Sequence, residues 1–577
     1  MLILIPIFLL ILSSCFVETN IHRKKSNFYY GDTKSIGYMY SYTVDETNDV
    51  PYIGIEDVLD FLMDEYSITN GDNNQTFEKN GVKIIADANN NTIYIENYDK
   101  FLSDLNIGFN LIKSDKIIDS KSKLYNNNEI TVDYSKYNLK LENYNGKIIA
   151  PFHPTWTLFN LYNDVHKDIS FNGNDYYVVN NSLLYENFGT RLYLTKYGSM
   201  YYSGKLVNNI KSKEYASYNY NATAMMLDLI YGVREKKNLN FIDYLDDSHG
   251  KVYLSSENPE SSANQLGYIL SNDIDDFHTS YLCSGLFEEL STRLISSRNT
   301  KSEKKIAREE YESKLNQIKN NYEFFNGTIP WIRRKDNICY IYFDSFKKDS
   351  SLNFYNKKPT RYDVDDDSFA MMYVAMNSIK EYNDNDDNLI KINKVVLDLS
   401  TNGGGNAEAL INVLGFINGK AHISLREALT GAYKDIYYNV DTNLDQVYDE
   451  KDGYNSLYKF YVISSPLSYS SANALINSVK MDKSATVIGK KSGGGACVVY
   501  QTVFPSGDII DISGNMVLGS INDQNQFIDI DDGVDVDYEF LSDYTYFDSE
   551  KLNLFINSLP EWCSLIWAFF FFIKFLY

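Results

Sequence analysis

Two places in this chain bring together residue types that can generate a nucleophile and hold the charge that forms when it attacks. In the first, Val395-Val396-Leu397-Asp398-Leu399 leads through Ser400-Thr401-Asn402 into Gly403-Gly404-Gly405, and a helical pattern follows. Consecutive glycines after a strand expose backbone N–H groups where a helix begins, and such a place binds an anion or a developing oxyanion. A phosphate-binding loop is the rival. No Gly-Lys-Ser/Thr follows, however, and the spacing of a dinucleotide fingerprint is absent. A plain tight turn is the simplest alternative. In the second place, Tyr461-Val462-Ile463-Ser464 leads to Ser468-Tyr469-Ser470-Ser471-Ala472-Asn473 and an apolar helix. A hydroxyl there sees the positive end of the helix dipole, which suits a nucleophile whose negative charge grows during attack. A serine that merely caps its helix is the commoner reason for finding one there.

The surrounding pattern supplies elements to position both junctions. From about residue 331 onward, strand-like runs (Ile338–Tyr342, Lys394–Leu399, Lys459–Ile463, Ala485–Ile488) alternate with helical stretches (Phe369–Lys380, Ala407–Ile417, Ala472–Val479). That alternation predicts an α/β domain with mostly parallel pairing. Residues 45–200 read as short strands bounded by Asn, Asp and Gly turns, a β-rich accessory module similar to the stalk domains of secreted bacterial enzymes. Residues 201–330 read as a helical subdomain, with Met225, Met226, Leu229 and Val233 at helical spacing, and likewise Leu282, Leu286, Leu290 and Leu294. The run from Lys301 to Asn320 mixes both charges around sparse apolar positions and reads as a solvated helix.

Composition narrows the function classes. The 577 residues exceed one domain. With 54 Lys and Arg against 77 Asp and Glu, the chain carries −23 and repels phosphate, which argues against nucleic acid as a partner. Five cysteines without a CxxC pair predict neither a dense disulfide framework nor a zinc site, and the residues point to no metal and no cofactor. Residues 1–17 are almost wholly apolar and suit a secretion signal within the first 20 residues. Leu12-Ser13-Ser14-Cys15 resembles a bacterial lipoprotein cleavage box, with Cys15 as the lipidated residue, although no Lys or Arg precedes the apolar run. The tail at 561–577 is equally apolar and reads as a membrane anchor or a removed anchor signal, against a frame error at the end of the reading frame. These ends predict an exported protein at the cell surface or outside the cell, with membrane attachment through Cys15 or the tail.

Taken together, Val395 to Gly405, Ser470 to Asn473 and Ala485-Thr486-Val487-Ile488-Gly489 resemble, in order and spacing, peptidase family S41, the tail-specific or C-terminal-processing peptidases. The resemblance spans about 215–545 and implies a crotonase/ClpP-like core with serine peptidase activity on polypeptides. The family's nucleophile lies nineteen positions before the glycine of Val-Ile-Gly, which selects Ser470 over Ser468 and Ser471. The backbone N–H groups of Gly404, Gly405 and Ser471 would then form the oxyanion hole, each preorganised donor worth about 3 kcal/mol of barrier. One branch of the family uses a lysine base six residues after that glycine. Here that slot is Gly495, and Lys490 and Lys491 come too early. The tricorn-like branch uses a Ser-His-acid arrangement with the histidine far upstream. Its Asp-x-His segment resembles Asp247-Ser248-His249, which makes His249 the general base. Its acid precedes a Gly-Val-x-Pro-Asp segment, matched by Asp529-Ile530-Asp531-Asp532-Gly533-Val534. The usual acid slot holds Ile530, so Asp531 is the favoured orienting residue and Asp529 the next.

The leading expectation is therefore an exported serine endopeptidase. A catalytically inactive binding protein on the same fold is the alternative, because a fold does not guarantee chemistry. An acyl-CoA enzyme of the wider crotonase group is disfavoured by the serine junction.

Overall fold

The computed structural model describes residues 20–560 except 46–48, 64, 99, 102–111, 113, 126–128, 161–167, 189–190, 249, 284, 289–300 and 323–329. Cys15, the apolar leader and the apolar tail therefore lie outside the described residues. Among the described residues no helix is long and apolar enough to cross a membrane. Packing divides the chain into two units. One comprises residues 1–108, 127–300 and 499–514, and the other 109–126, 301–498 and 515–577.

The first unit is rich in β structure, as expected. One sheet includes the long antiparallel pair Ile21–Tyr30 and Ser35–Val44, and a five-stranded sheet is built from Ser67–Asn70 through Ile130–Asp133. The hairpins turn at Asn80-Gly81 and Asn145-Gly146, where φ is 52°/73° and 52°/83°. Two successive left-handed residues match the right-handed twist of the strands they join, and Asn-Gly adopts them with little strain. The helix Lys213–Ile230 is capped by Ser212, whose hydroxyl accepts the Tyr215 N–H (3.0 Å), and it buries Met225, Met226 and Leu229 as the spacing predicts. The helix expected at Leu282 is instead the strand Ser280–Cys283, paired antiparallel with Ile509–Asp511 and burying Tyr281 and Cys283. A four-residue spacing is an even number, so it satisfies strand alternation as well as a helical face. Leu290 and Leu294 lie outside the described residues.

The second unit carries the α/β pattern. From residue 301 onward its elements include α1 (Glu303–Asn321), β1 (Ile332–Lys335), β2 (Ile338–Tyr342), α2 (Ser368–Asp384), β3 (Lys394–Asp398), α3 (Ala407–Asn418), β4 (Lys420–Glu427), β5 (Tyr433–Val440), β6 (Lys459–Ser464), α4 (Ser471–Met481), β7 (Thr486–Gly489), β8 (Ile509–Ile521, of which 515–521 belong to this unit), β9 (Phe527–Asp529), β10 (Tyr538–Glu539) and α5 (Ser549–Ser558). Strands β2, β3, β6, β7 and β10 are neighbours in that order and pair in parallel, and β1 closes one edge antiparallel to β2. A second, antiparallel sheet joins β5, β4 and the Met516–Gly519 part of β8. On one face of the parallel sheet, Tyr340, Val396, Tyr461, Ile463 and Ile488 pack against Leu315 and Ile318 of α1 and Leu552 and Ile556 of α5.

Helix α1 departs from the expected solvated helix. Leu315 and Ile318 are fully buried, and Tyr311 packs against the same cluster. The positions 311, 315 and 318 form one stripe at helical spacing, while charged residues cover the rest of the helix.

Candidate active site

Strand β6 ends at Ser464, and the chain turns sharply before α4 starts at Ser471. Three serines compete for the nucleophile's place, and hydrogen bonding separates them. Ser468 is fully buried, accepts the Ser465 N–H (2.9 Å) and donates its hydroxyl to the Leu399 carbonyl (2.7 Å). The Ser471 hydroxyl donates to the Gly405 carbonyl (2.7 Å). Ser470 makes no side-chain cap on α4, although it occupies the capping position. Its backbone sits at φ 56°, ψ −120°, and its N–H donates to the Gly494 carbonyl (2.9 Å). This conformation belongs to glycine, and a serine held in it by its surroundings stores strain of about 1–3 kcal/mol. A strained strand-to-helix turn that leaves a hydroxyl without a capping role is the geometry of a nucleophile elbow.

The glycine loop lies directly against that serine. Asn402 is fully buried and organises it: its Nδ2 donates to the Phe343 carbonyl (3.1 Å), and its own carbonyl accepts the Tyr469 N–H (3.0 Å). Its Oδ1 accepts the Gly404 N–H (2.9 Å). That bond corrects one expectation, because the Gly404 amide assigned to the oxyanion hole is already committed to Asn402. The Gly403 N–H is likewise committed, to the Asp344 carbonyl (3.2 Å). Among the described residues, the amides of Gly405 and Ser471 make no hydrogen bond. Gly404 has a different necessity. At φ 108°, a Cβ added there would stand 2.6 Å from the Ser470 Cβ and 3.1 Å from the Ser471 nitrogen, so only glycine lets the loop approach this closely.

The strand beneath the loop ends in Asp398, which burial pushes above the usual carboxylate range while Arg333 at 3.7 Å pulls the other way. Its Oδ1 accepts the Ser400 hydroxyl (2.7 Å) and so anchors the start of the loop.

The acid candidate belongs to the same unit. Asp531 Oδ1 accepts the Ala496 N–H (3.1 Å), and its carbonyl accepts the Gly495 N–H (3.2 Å). Since Gly494 in turn receives the Ser470 N–H, the 494–496 segment ties Asp531 to the serine turn. Asp531 Oδ2 takes no hydrogen bond among the described residues. Asp529 Oδ1 accepts the Asp531 N–H (3.1 Å).

His249 lies outside the described residues. Two of the other histidines have settled roles. His153 is fully buried beside the Tyr218 hydroxyl (2.7 Å), and burial pulls it down to about 3. Burial also opposes charge on His422, but Asp435 (2.6 Å) and Asp482 (3.0 Å) flank its ring and raise it to about 9, so it is a cation at neutral pH. Asp482 caps the C-terminal end of α4, roughly 17 Å along the helix from Ser470. An imidazolium held between two carboxylates does not take a proton from that serine.

The lysine alternative also fails on packing. Lys490 pairs with Asp543 (2.7 Å), and Lys491 stands 4.0 Å from Asp535. Gly495, in the lysine slot, has φ 80°, and the Tyr469 ring occupies the space a Cβ would enter. An open cavity of about 740 Å³ lies elsewhere, lined by Tyr458, Lys459, Lys480, Lys483 and Asp537, and includes neither Ser470 nor the glycine loop.

Residues 337–540 match the model of peptidase family S41, a domain-sized part of the chain that contains both junctions. The match covers about a third of the chain. Solved structures similar in fold include a photosystem II D1 C-terminal processing protease (17% identity, 35% of this chain and 42% of that one, TM-score 0.26). Mature CPAF is another (11%, 60% and 99%, TM-score 0.37), as is a lipoprotein from Streptococcus agalactiae (13%, 59% and 96%, TM-score 0.34). The chain thus spans less than half of the photosystem II protease. No curated protein matches the sequence.

Proposed function

We propose that this chain is an exported serine peptidase that cleaves polypeptides by a Ser-His-acid mechanism. The observation that carries the reading is Ser470: a strained serine with no capping bond, at the start of α4, beside two unengaged amides in a peptidase-family region. Its Oγ attacks the scissile carbonyl carbon while the hydroxyl proton passes to the neutral imidazole of His249. The carbonyl oxygen takes up the displaced electron pair, and the Gly405 and Ser471 N–H groups hold the resulting oxyanion. Collapse expels the amine, which recovers the proton from His249, and water releases the acyl group by the same route. Asp531, with one oxygen on the Ala496 N–H and the other unspent, orients the imidazole. Export, with attachment through Cys15 or the C-terminal tail, belongs to this reading on the strength of the apolar ends.

A fluorophosphonate probe tests it. Ser470 is expected to be labelled, Ser470→Ala to abolish labelling and His249→Ala to slow it at least a hundredfold. A folded protein that neither labels at Ser470 nor cleaves unfolded polypeptide overturns the proposal in favour of a binding protein.

A further inference from the structure

One arginine of α1 points inward, toward the serine turn. Arg308 Nη1 donates to the Pro466 carbonyl (3.0 Å) and Nη2 to the Leu467 carbonyl (3.1 Å). Its Cζ lies 5.0 Å from the centre of the Tyr469 ring. These contacts fall on the residues that lead into Ser470. The same guanidinium also borders the glycine segment, since a Cβ added at Gly493 would stand 2.9 Å from Nη1. The Gly493 N–H donates to the Ser468 carbonyl (2.8 Å), and Gly494 accepts the Ser470 N–H. One side chain therefore binds the segment that delivers the nucleophile and lies beside the segment that holds its amide.

The chemistry favours arginine for this task. The carbonyls of a sharp turn have no ladder or helix partner, and a planar fork satisfies two of them in a fixed relative position. A serine at φ 56° keeps that conformation only while its neighbours over-determine it. We propose that Arg308 is a positioning residue for Ser470: by clamping Pro466, Leu467 and Tyr469 against the 493–494 segment, it holds the serine in its strained, attack-ready geometry. The inference rests on the peptidase reading, and it extends the functional unit to a helix outside the 337–540 family match.

The test compares wild type, Arg308→Met and Arg308→Lys. Circular dichroism checks the fold, fluorophosphonate gives the rate of covalent labelling at Ser470, and kcat and KM are measured on an unfolded polypeptide. Arg308→Met is expected to lower kcat and the labelling rate ten- to a hundredfold with KM within about twofold, as a misplacement on the order of 1 Å would. Arg308→Lys, which keeps the charge but reaches only one carbonyl at a time, is expected to recover part of the loss. Should Arg308→Met fail to fold, the lysine variant decides, with a labelling rate expected to be about tenfold below wild type. A folded variant that labels at the wild-type rate overturns the inference. So does a rise in KM with kcat unchanged, which would assign the arginine to substrate binding. Wild type that does not label at all overturns the peptidase reading and this inference with it, whereas wild-type labelling with unaffected variants overturns this inference alone.

Discussion

Replacing Ser470 by alanine and by glycine separates the cost of its backbone from the chemistry of its hydroxyl. Both variants lose Oγ and are expected to lose labelling and cleavage together. They differ in what they keep. Alanine retains a Cβ at φ 56°, ψ −120°, and with it the strain; glycine does not. Relief of that strain contributes about 1–2 kcal/mol, and the larger entropy of glycine in the unfolded chain returns about 0.5–1 kcal/mol. At the middle of these ranges the balance leaves Ser470→Gly more stable than Ser470→Ala by about 0.7 kcal/mol. In urea this is a rise in midpoint of about 0.2–0.3 M, at a slope of about 3 kcal/mol per molar. Unfolding curves followed by tryptophan fluorescence resolve such a difference when the two slopes agree. A glycine variant equal to or less stable than the alanine variant would refute the claim that this turn stores strain, and would remove the main structural argument for Ser470 as the nucleophile.

Two further outcomes are expected. His422 sits between Asp435 and Asp482 with its folded value raised to about 9 from an ordinary 6.5. A raised value contributes stability that is complete below pH 6.5, declines as pH rises and is lost above about 9. The contribution is about 2–3 kcal/mol, the lower figure allowing for solvent reaching the ring. Urea midpoints measured between pH 6 and 10 are expected to fall across that window in wild type and to flatten in His422→Gln; an equal slope in both would assign the dependence elsewhere. Gly404→Ala is expected to lower stability by about 1–3 kcal/mol and to slow Ser470 labelling, because its Cβ would meet the Ser470 Cβ at 2.6 Å with φ at 108°. A variant with the wild-type midpoint and labelling rate would show that the loop does not pack on the serine as described.

Much of the second unit was legible from alternation alone. The runs at Ile338–Tyr342, Lys394–Leu399 and Lys459–Ile463 are buried on both faces of a parallel sheet, so they read as continuous apolar segments. The strand at Ser280–Cys283 was not legible, because its pattern fits two periods and its partner lies more than two hundred residues away. The charged positions of helix α1 outnumber the stripe at 311, 315 and 318, so its pattern reads as solvated. Arg308 was hidden among those charges, and its place three residues before Tyr311 on the same face is the one signal that could have exposed it.

By itself, the sequence determined the order of the two junctions, a glycine triplet after one buried strand and a serine cluster after another, and the resemblance supplied the spacing that singles out Ser470. It could not allocate the hydrogen bonds. Ser468 is consumed by Leu399, Ser471 by Gly405 and the Gly404 amide by Asn402, and the Tyr469 ring closes the space above Gly495. Three of these four pairings span about 26 to 69 residues of chain; two exist only once β3 and β6 lie side by side, and the Tyr469–Gly495 contact only once β6 and β7 do. A donor or acceptor is free or spent according to what folding brings within 3 Å of it, and that is a property of neighbours in space rather than of neighbours in sequence.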